Sequence, residues 1–333
     1  MATGWGILGP GRIARSFAED LRLVPDAELT AVGSRSHGRA AAFAQEHGFA
    51  AAYGSYDELL ADDAVDAVYV ASPHALHAEH VTAALEAGKH VLCEKPITLR
   101  AADAERLFAL ALRQDRLLME AMWTACHPVV LAVQHELRAG AFGTPRHLHA
   151  EMGFVVDLPP EDRLLDPELG AGGLLDMGIY PLTLAHLLFG EAEELTAVAS
   201  LSGSGFDLDI AIAGRYPGGA LATMTASLTS WSAHRAELAT DRGRLVMEDF
   251  FHPRAATYTP IARDDLAEHD GPMVVEGREP VLGRGMGHEA AEFQRCLTEG
   301  LLESPLVPHA QTLTIMRQMD DLRAQVGVRY PGD

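Results

Sequence analysis

Lysine is the scarcest charge in this chain. Lys and Arg together number 26 among 333 residues, yet the only lysines are Lys89 and Lys95. Basic charge as a whole is short: 47 acidic residues leave a formal net charge of −21, a field that repels phosphate backbones and anionic lipid surfaces. Nucleic acid and membrane are therefore poor partners to expect. Cysteine is also sparse. Cys93, Cys126 and Cys296 are far apart, odd in number and without metal-ligand spacing, which predicts a reducing compartment, the cytoplasm by default, and no bound metal. No basic segment followed by an apolar one opens the chain, and no apolar run approaches the roughly 18 residues of a membrane-spanning helix. The expectation is a protein neither exported nor embedded, without repeats or low-complexity tracts.

What the chain does have is length for about two domains of ordinary size, with 48% hydrophobic residues to fill their cores. The first 120 or so residues alternate short apolar runs (Trp5–Leu8, Leu29–Gly33, Ala67–Ala71, Val91–Glu94) with amphipathic stretches, the signature of a doubly wound parallel sheet of the Rossmann type. The texture then changes to period-two alternation. Along Leu221–Trp231, Ala222, Met224, Ala226 and Leu228 share one face while Thr223, Thr225, Ser227 and Thr229 share the other, which predicts a large, mostly antiparallel, open-faced sheet. The expected fold is α/β: a dinucleotide-binding domain over 1–122 and an α+β substrate and dimerisation domain over 123–333, with the C-terminal helix free to pack back on the first.

Gly9-Pro10-Gly11-Arg12-Ile13-Ala14 stands between the first strand and the first helix and matches the Gly-x-Gly-x-x-Ala form of the dinucleotide fingerprint. Gly9 permits the tight turn, Gly11 lets backbone approach a pyrophosphate, Ala14 allows close packing, and the backbone at Arg12 and Ile13 opens a helix towards the phosphates. NAD enzymes place an acid about 20 residues on, to hold the ribose 2′-hydroxyl. Here that place reads Gly33-Ser34-Arg35-Ser36, with Arg39 one helical turn later. Ser34, Arg35 and Arg39 suit a 2′-phosphate, so NADP is favoured over NAD. Ala71, Ser72, Pro73, His74 and His77 follow the next core strand and are expected to line the nicotinamide half, with either histidine equally readable as a polar residue of a helix start.

At Cys93-Glu94-Lys95-Pro96 the sequence resembles the Gfo/Idh/MocA oxidoreductases. The resemblance extends over nearly the whole chain, through Met119-Glu120-Ala121-Met122-Trp123-Thr124 and Gly172-Gly173-Leu174-Leu175-Asp176-Met177-Gly178-Ile179-Tyr180, and is greatest to the dimeric dihydrodiol dehydrogenase branch, including Tyr216-Pro217-Gly218 and Val328-Arg329-Tyr330-Pro331. It implies that Glu94 and Lys95 line the nicotinamide side, that Lys95 contacts substrate oxygen and cofactor, and that Trp123 stands near the nicotinamide or substrate. Asp176, Tyr180 and Thr183 fall at i, i+4 and i+7, one stripe of a helix expected over Gly173–Phe189. The inositol dehydrogenase branch carries histidine and a second aspartate where this chain has Tyr180 and Thr183. Tyr180 is then the expected general acid, its phenol brought towards working pH by the Lys95 ammonium, with Asp176 on a neighbouring substrate hydroxyl. Phe154 is a candidate pocket wall.

Members of the family commonly have an arginine and an aromatic after the Trp-Thr pair. Ala125, Cys126 and His127 depart from that pattern, which favours a neutral ligand over a phosphorylated one. The expected activity is hydride transfer between NADP and the secondary alcohol or ketone of a cyclic polyol, sugar or dihydrodiol, by a homodimer joined through the C-terminal sheet. A ketosugar or nucleotide-sugar reductase or inositol dehydrogenase of the same family is the first alternative. A non-catalytic NADP-binding sensor or co-regulator is the second.

Overall fold

Apolar runs enclosed on both faces build the first sheet. Its elements are β1 (Thr3–Leu8), α1 (Arg12–Leu21), β2 (Ala27–Gly33), α2 (His37–His47), β3 (Ala51–Tyr53), α3 (Tyr56–Leu60), β4 (Ala67–Val70), α4 (His77–Glu86), β5 (His90–Glu94), α5 (Ala101–Arg113), β6 (Leu118–Ala121) and α6 (Trp123–Cys126). All pairings are parallel, in the order β3-β2-β1-β4-β5-β6. Every residue of β1 and β4 is buried, as helices on both faces require. The order reverses between β1 and β4, and ligands of such sheets lie beyond the strands' carboxyl ends at that point. This computed structural model describes residues 2–159, 162–261, 271–331 and 333.

The second sheet is formed after α7 (Pro128–Arg138) by β7 (Pro145–Gly153) and, beyond α8 (Ile179–Phe189), by β8 (Glu194–Leu201), β9 (Asp207–Arg215), β10 (Leu221–Ser227), β11 (Ala236–Thr240), β12 (Gly243–Met247), β13 (Ala256–Pro260) and β14 (Met273–Val275). The order is β14-β13-β12-β11-β7-β10-β9-β8, antiparallel except for β7 beside β10. Ala222, Met224, Ala226 and Leu228 are buried at 2% exposure or less, whereas Leu221 is half exposed, so the alternation read from the sequence orients this sheet. α8 packs on β7 and β10. Pro167–Phe189 is long and apolar enough to cross a membrane by length and composition, and most of it is buried inside the protein.

The chain divides into two compact units: Met1–Cys126 with Leu282–Met316, and His127–Val281 with Arg317–Asp333. The first break falls at 126/127 against the expected 122/123, and the segment that returns, 282–316, holds α9 (Met286–Glu299) as well as the first part of α10 (His309–Val326), the C-terminal helix expected to be free to pack back. Two sets of hydrogen bonds explain that return. Asp20, buried on α1, accepts from the backbone N–H groups of Arg284, Gly285, Met286 and Gly287, so it caps α9. His309 and Thr312 of α10 bond to the Leu118 carbonyl and the Glu120 carboxyl on β6.

Candidate functional site

In the first unit the sequence-predicted cofactor residues gather at the carboxyl edge of the parallel sheet. Gly9 has φ +93°, a conformation that favours glycine, and a Cβ there would press on the Ala71 backbone at 3.3 Å. Gly11 precedes α1, whose first turn has no side-chain cap, and a Cβ on Gly11 would stand in open space. Internal packing therefore does not explain that glycine; an anion lying against the helix N-terminus does.

The tip of β2 carries Ser34, buried, with its hydroxyl accepting from the Ser36 N–H at 3.3 Å. Arg35 and Arg39 are exposed beside it, and both guanidinium groups act on the Tyr56 phenol, whose pKa burial raises and these cations lower. Tyr56 in turn lies edge-on to His80 at 4.8 Å, and the His80 ring bonds to the Ser72 hydroxyl at 2.8 Å. Two cations, two hydroxyls and a phenol form this corner, with no carboxylate at the strand tip, a fit to a phosphorylated ribose. Sequence reasoning missed Tyr56 and His80, which are remote in sequence from the fingerprint.

His74 and His77 open the helical segment after β4 and are buried at 4% and 0% exposure. The two ring nitrogens of His77 lie 2.9 Å from the Pro96 carbonyl and 2.8 Å from the Ser72 carbonyl, so the ring ties two loops together instead of presenting a nitrogen to a ligand. Pro73 and Ala71 are partly exposed at the loop's rim. Lys95 follows the last residue of β5, is 8% exposed, and begins a turn whose Lys95–Pro96 bond is cis. Glu94 receives the Tyr69 hydroxyl on one carboxylate oxygen and the Lys95 N–H on the other, the latter at 3.1 Å. Trp123, half buried, starts α6 just beyond β6.

In the second unit the helix expected as regular over Gly173–Phe189 begins differently. Leu174–Gly178 is a π-helical turn, with the Ile179 N–H bonding back to the Leu174 carbonyl. Pro181 has no N–H to offer the Met177 carbonyl, which removes one α-helical bond at the junction. Such turns recur at functional sites. Asp176 sits on the π turn and Tyr180 on the first turn of α8, so their spacing is not that of a plain α-helical stripe. Asp207 fixes the turn's start: it accepts from the Leu174 N–H at 2.6 Å, and a Cβ on Gly172 would stand 2.6 Å from its other oxygen. Thr183 is fully buried, and its hydroxyl has no hydrogen-bond partner among the described residues.

Asp176 is paired with Arg163 at 3.4 Å, a cation that no motif in the sequence marks. The pairing leaves the couple formally neutral. Around Tyr180 runs a chain of rings: Phe251 at 5.6 Å between centroids, then His234 at 5.7 Å, Phe154 at 4.3 Å and Trp231 at 5.4 Å. Trp231 is 73% exposed, an unusual state for so large an apolar side chain. His234 has φ +53° and bonds the Gly153 carbonyl at 2.8 Å, which anchors the loop carrying Trp231 to the end of β7. Of these rings only Tyr180 and Phe154 were expected. The signal for the others was two loop clusters, Ser230-Trp231-Ser232-Ala233-His234 and Phe250-Phe251-His252, each rich in rings where turns are ordinarily small and polar.

Comparison with known proteins accords with this geometry. The oxidoreductase family with an NAD-binding Rossmann fold matches residues 3–122, and the C-terminal domain of the same Gfo/Idh/MocA group matches 130–246. The chain belongs to the Gfo/Idh/MocA oxidoreductase family. Trans-1,2-dihydrobenzene-1,2-diol dehydrogenase of Mus musculus is 34% identical over 337 residues, covering 100% of this chain and 99% of the relative. The Homo sapiens enzyme of that name is 32% identical over 338 residues, with the same two shares. Among solved structures, the 3-ketoreductase KijD10 of Actinomadura kijaniata in complex with NADP and TDP-benzene superimposes with a TM-score of 0.87 at 30% identity, over 98% of both chains.

Proposed function

We propose that this Gfo/Idh/MocA protein is an NADP-dependent dehydrogenase or reductase acting on the secondary alcohol or ketone of a cyclic diol, polyol or sugar. The observation that carries it is the corner of Ser34, Arg35, Arg39 and Tyr56 beside the Gly9–Gly11 turn, which fits a dinucleotide bearing a 2′-phosphate. Mammalian relatives named for a dihydrobenzenediol and a ketoreductase solved with NADP support the same class. Bound NADP supplies or accepts the hydride, which leaves one proton to be moved at the substrate oxygen. Tyr180 exchanges that proton through its hydroxyl. Lys95, held at the end of β5, polarises the substrate oxygen as a cation, and Asp176 accepts from a neighbouring hydroxyl. The rings from Tyr180 to Trp231, tilted or edge-on to one another, offer apolar and ring-edge surface to a ring-shaped ligand. A keto sugar is the second reading, favoured by the likeness to the ketoreductase.

We further propose a cytoplasmic homodimer whose subunits meet on the open face of the eight-stranded sheet. Val198, 72% exposed on β8, and Leu221, 50% exposed on β10, are the apolar residues that such contact would cover.

Fluorescence titration with NADPH and NADH, followed by NADPH oxidation with cyclic diketones, ketosugars and inososes, tests the function. Tighter NADPH binding with turnover is expected. Binding without turnover on any substrate would return the protein to the sensor class, and preference for NADH would overturn the role of Ser34, Arg35 and Arg39.

A further inference from the structure

Glu120 lies on β6 and is 3% exposed. One carboxyl oxygen accepts from the Ile97 N–H at 2.9 Å and the other from the Thr312 hydroxyl of α10 at 3.0 Å. The turn after β5 is thus held at three successive residues: Lys95 through its N–H to Glu94, Pro96 through its carbonyl to His77, and Ile97 through its N–H to Glu120. A glutamine could serve both partners of Glu120 without the cost of burying a charge. What an amide could not do is oppose the Lys95 ammonium, which acts on this carboxyl and favours its ionised form.

We propose that Glu120 is a positioning residue for Lys95: its carboxylate pins the turn from Lys95 to Ile97 and faces the Lys95 ammonium with a compensating negative charge. The proposal rests on the reading that Lys95 acts on the substrate oxygen. Burial pushes the Glu120 carboxyl up to about 7, against the lowering by Ile97, Thr312 and Lys95. The other ionisable groups facing it are Glu94 and Cys93 of β5 and Glu289 of α9. Burial raises Cys93 and Glu289 well above their ordinary values, so both resist ionising beside Glu120. The charge facing Lys95 from β6 therefore changes close to neutrality, as Glu120 ionises.

With only two lysines in the chain, [13Cε]lysine labelling gives two side-chain NMR signals, assigned with Lys89→Arg. In cofactor-free protein the Lys95 signal is expected to shift through an inflection close to pH 7, while Lys89, which donates to the Asp62 carbonyl at 2.8 Å, does not. Glu120→Gln abolishes the inflection. Thr312→Val, which removes a donor that stabilises the carboxylate, moves it to higher pH. In turnover, Glu120→Gln, which keeps both hydrogen-bond partners but loses the charge facing Lys95, lowers kcat/KM by roughly tenfold, the equivalent of about one pKa unit of charge interaction, and flattens the limb of the pH profile that rises as Glu120 ionises. A wild-type Lys95 signal without that inflection, or an inflection that survives Glu120→Gln, overturns the proposal. If Glu120→Gln does not fold, the wild-type and Thr312→Val titrations decide. An inflection in a protein that reduces no carbonyl compound would keep the Glu120–Lys95 relationship and reject the oxidoreductase reading.

Discussion

The ring of Tyr180 lies 5.6 Å from that of Phe251, tilted by 56°, at the inner end of a series of rings that reaches the exposed indole of Trp231. The acid proposed for the reaction is thus built into an aromatic wall. Truncating the outer end should weaken binding of ring-shaped substrates without touching the chemistry. Trp231→Ala is expected to raise KM about tenfold, the equivalent of about 1.4 kcal/mol of lost contact, with kcat nearly unchanged. Steady-state kinetics with a cyclic ketone checks this, and thermal melting should show little loss because the indole is 73% exposed.

The discrimination between cofactors is assigned to the tip of β2. Arg35→Ala and Arg39→Ala each remove a cation from the corner that holds Ser34 and Tyr56. Each should weaken NADPH by roughly tenfold or more, from the roughly 1.5–3 kcal/mol of a hydrogen bond to a charged group. NADH affinity should change little, so the ratio of the two dissociation constants is the quantity to measure.

Much of this corner and of the first sheet was legible in the sequence because its signals are local. The glycine turn, the missing acid at Ser34–Ser36 and the uninterrupted apolar strands each lie within a few residues. The alternation along β10 likewise set which face of the second sheet is buried. What escaped notice depends on distant partners or on irregular helix. Tyr56 reaches its neighbours from the start of α3 and Arg163 from a turn, and no period marks them. The π turn at Leu174–Gly178 arises from the local bonding around Pro181 and from Asp207, 33 residues after Leu174, whereas period counting assumes a regular helix.

Asp20 should be the principal support for the return of α9 to the first unit. It accepts from four successive backbone N–H groups, and a Cβ on Gly283 would stand 1.9 Å from one of its oxygens. Asp20→Ala leaves those donors without their acceptor and is expected to cost roughly 1–3 kcal/mol. Chemical denaturation of the variant measures it, and Asp20→Asn should recover part of the loss through its remaining amide oxygen.

Asp207 predicts a pH dependence of stability. Burial raises its carboxyl to about 6 from an ordinary 3.8, so the folded state holds this proton more tightly than the unfolded chain. Its contribution is fully present below about pH 4 and is lost as pH rises through about 6. Asp207→Asn cannot lose that proton. Unfolding free energies measured from pH 4 to 7 should therefore move in favour of the variant as pH rises. A wild-type minus variant difference that is constant across this range would contradict the assignment.

The central claim is that Lys95 and Tyr180 carry the chemistry while the glycine turn and the Ser34 corner carry the cofactor. Its most direct test is NADPH oxidation with a reactive cyclic ketone by wild type, Lys95→Ala and Tyr180→Phe, alongside NADPH binding to each. The account predicts that both variants bind NADPH within a few-fold of wild type and lose about a hundredfold or more in kcat, the usual scale of a general acid. A variant that keeps wild-type kcat would remove its residue from the mechanism.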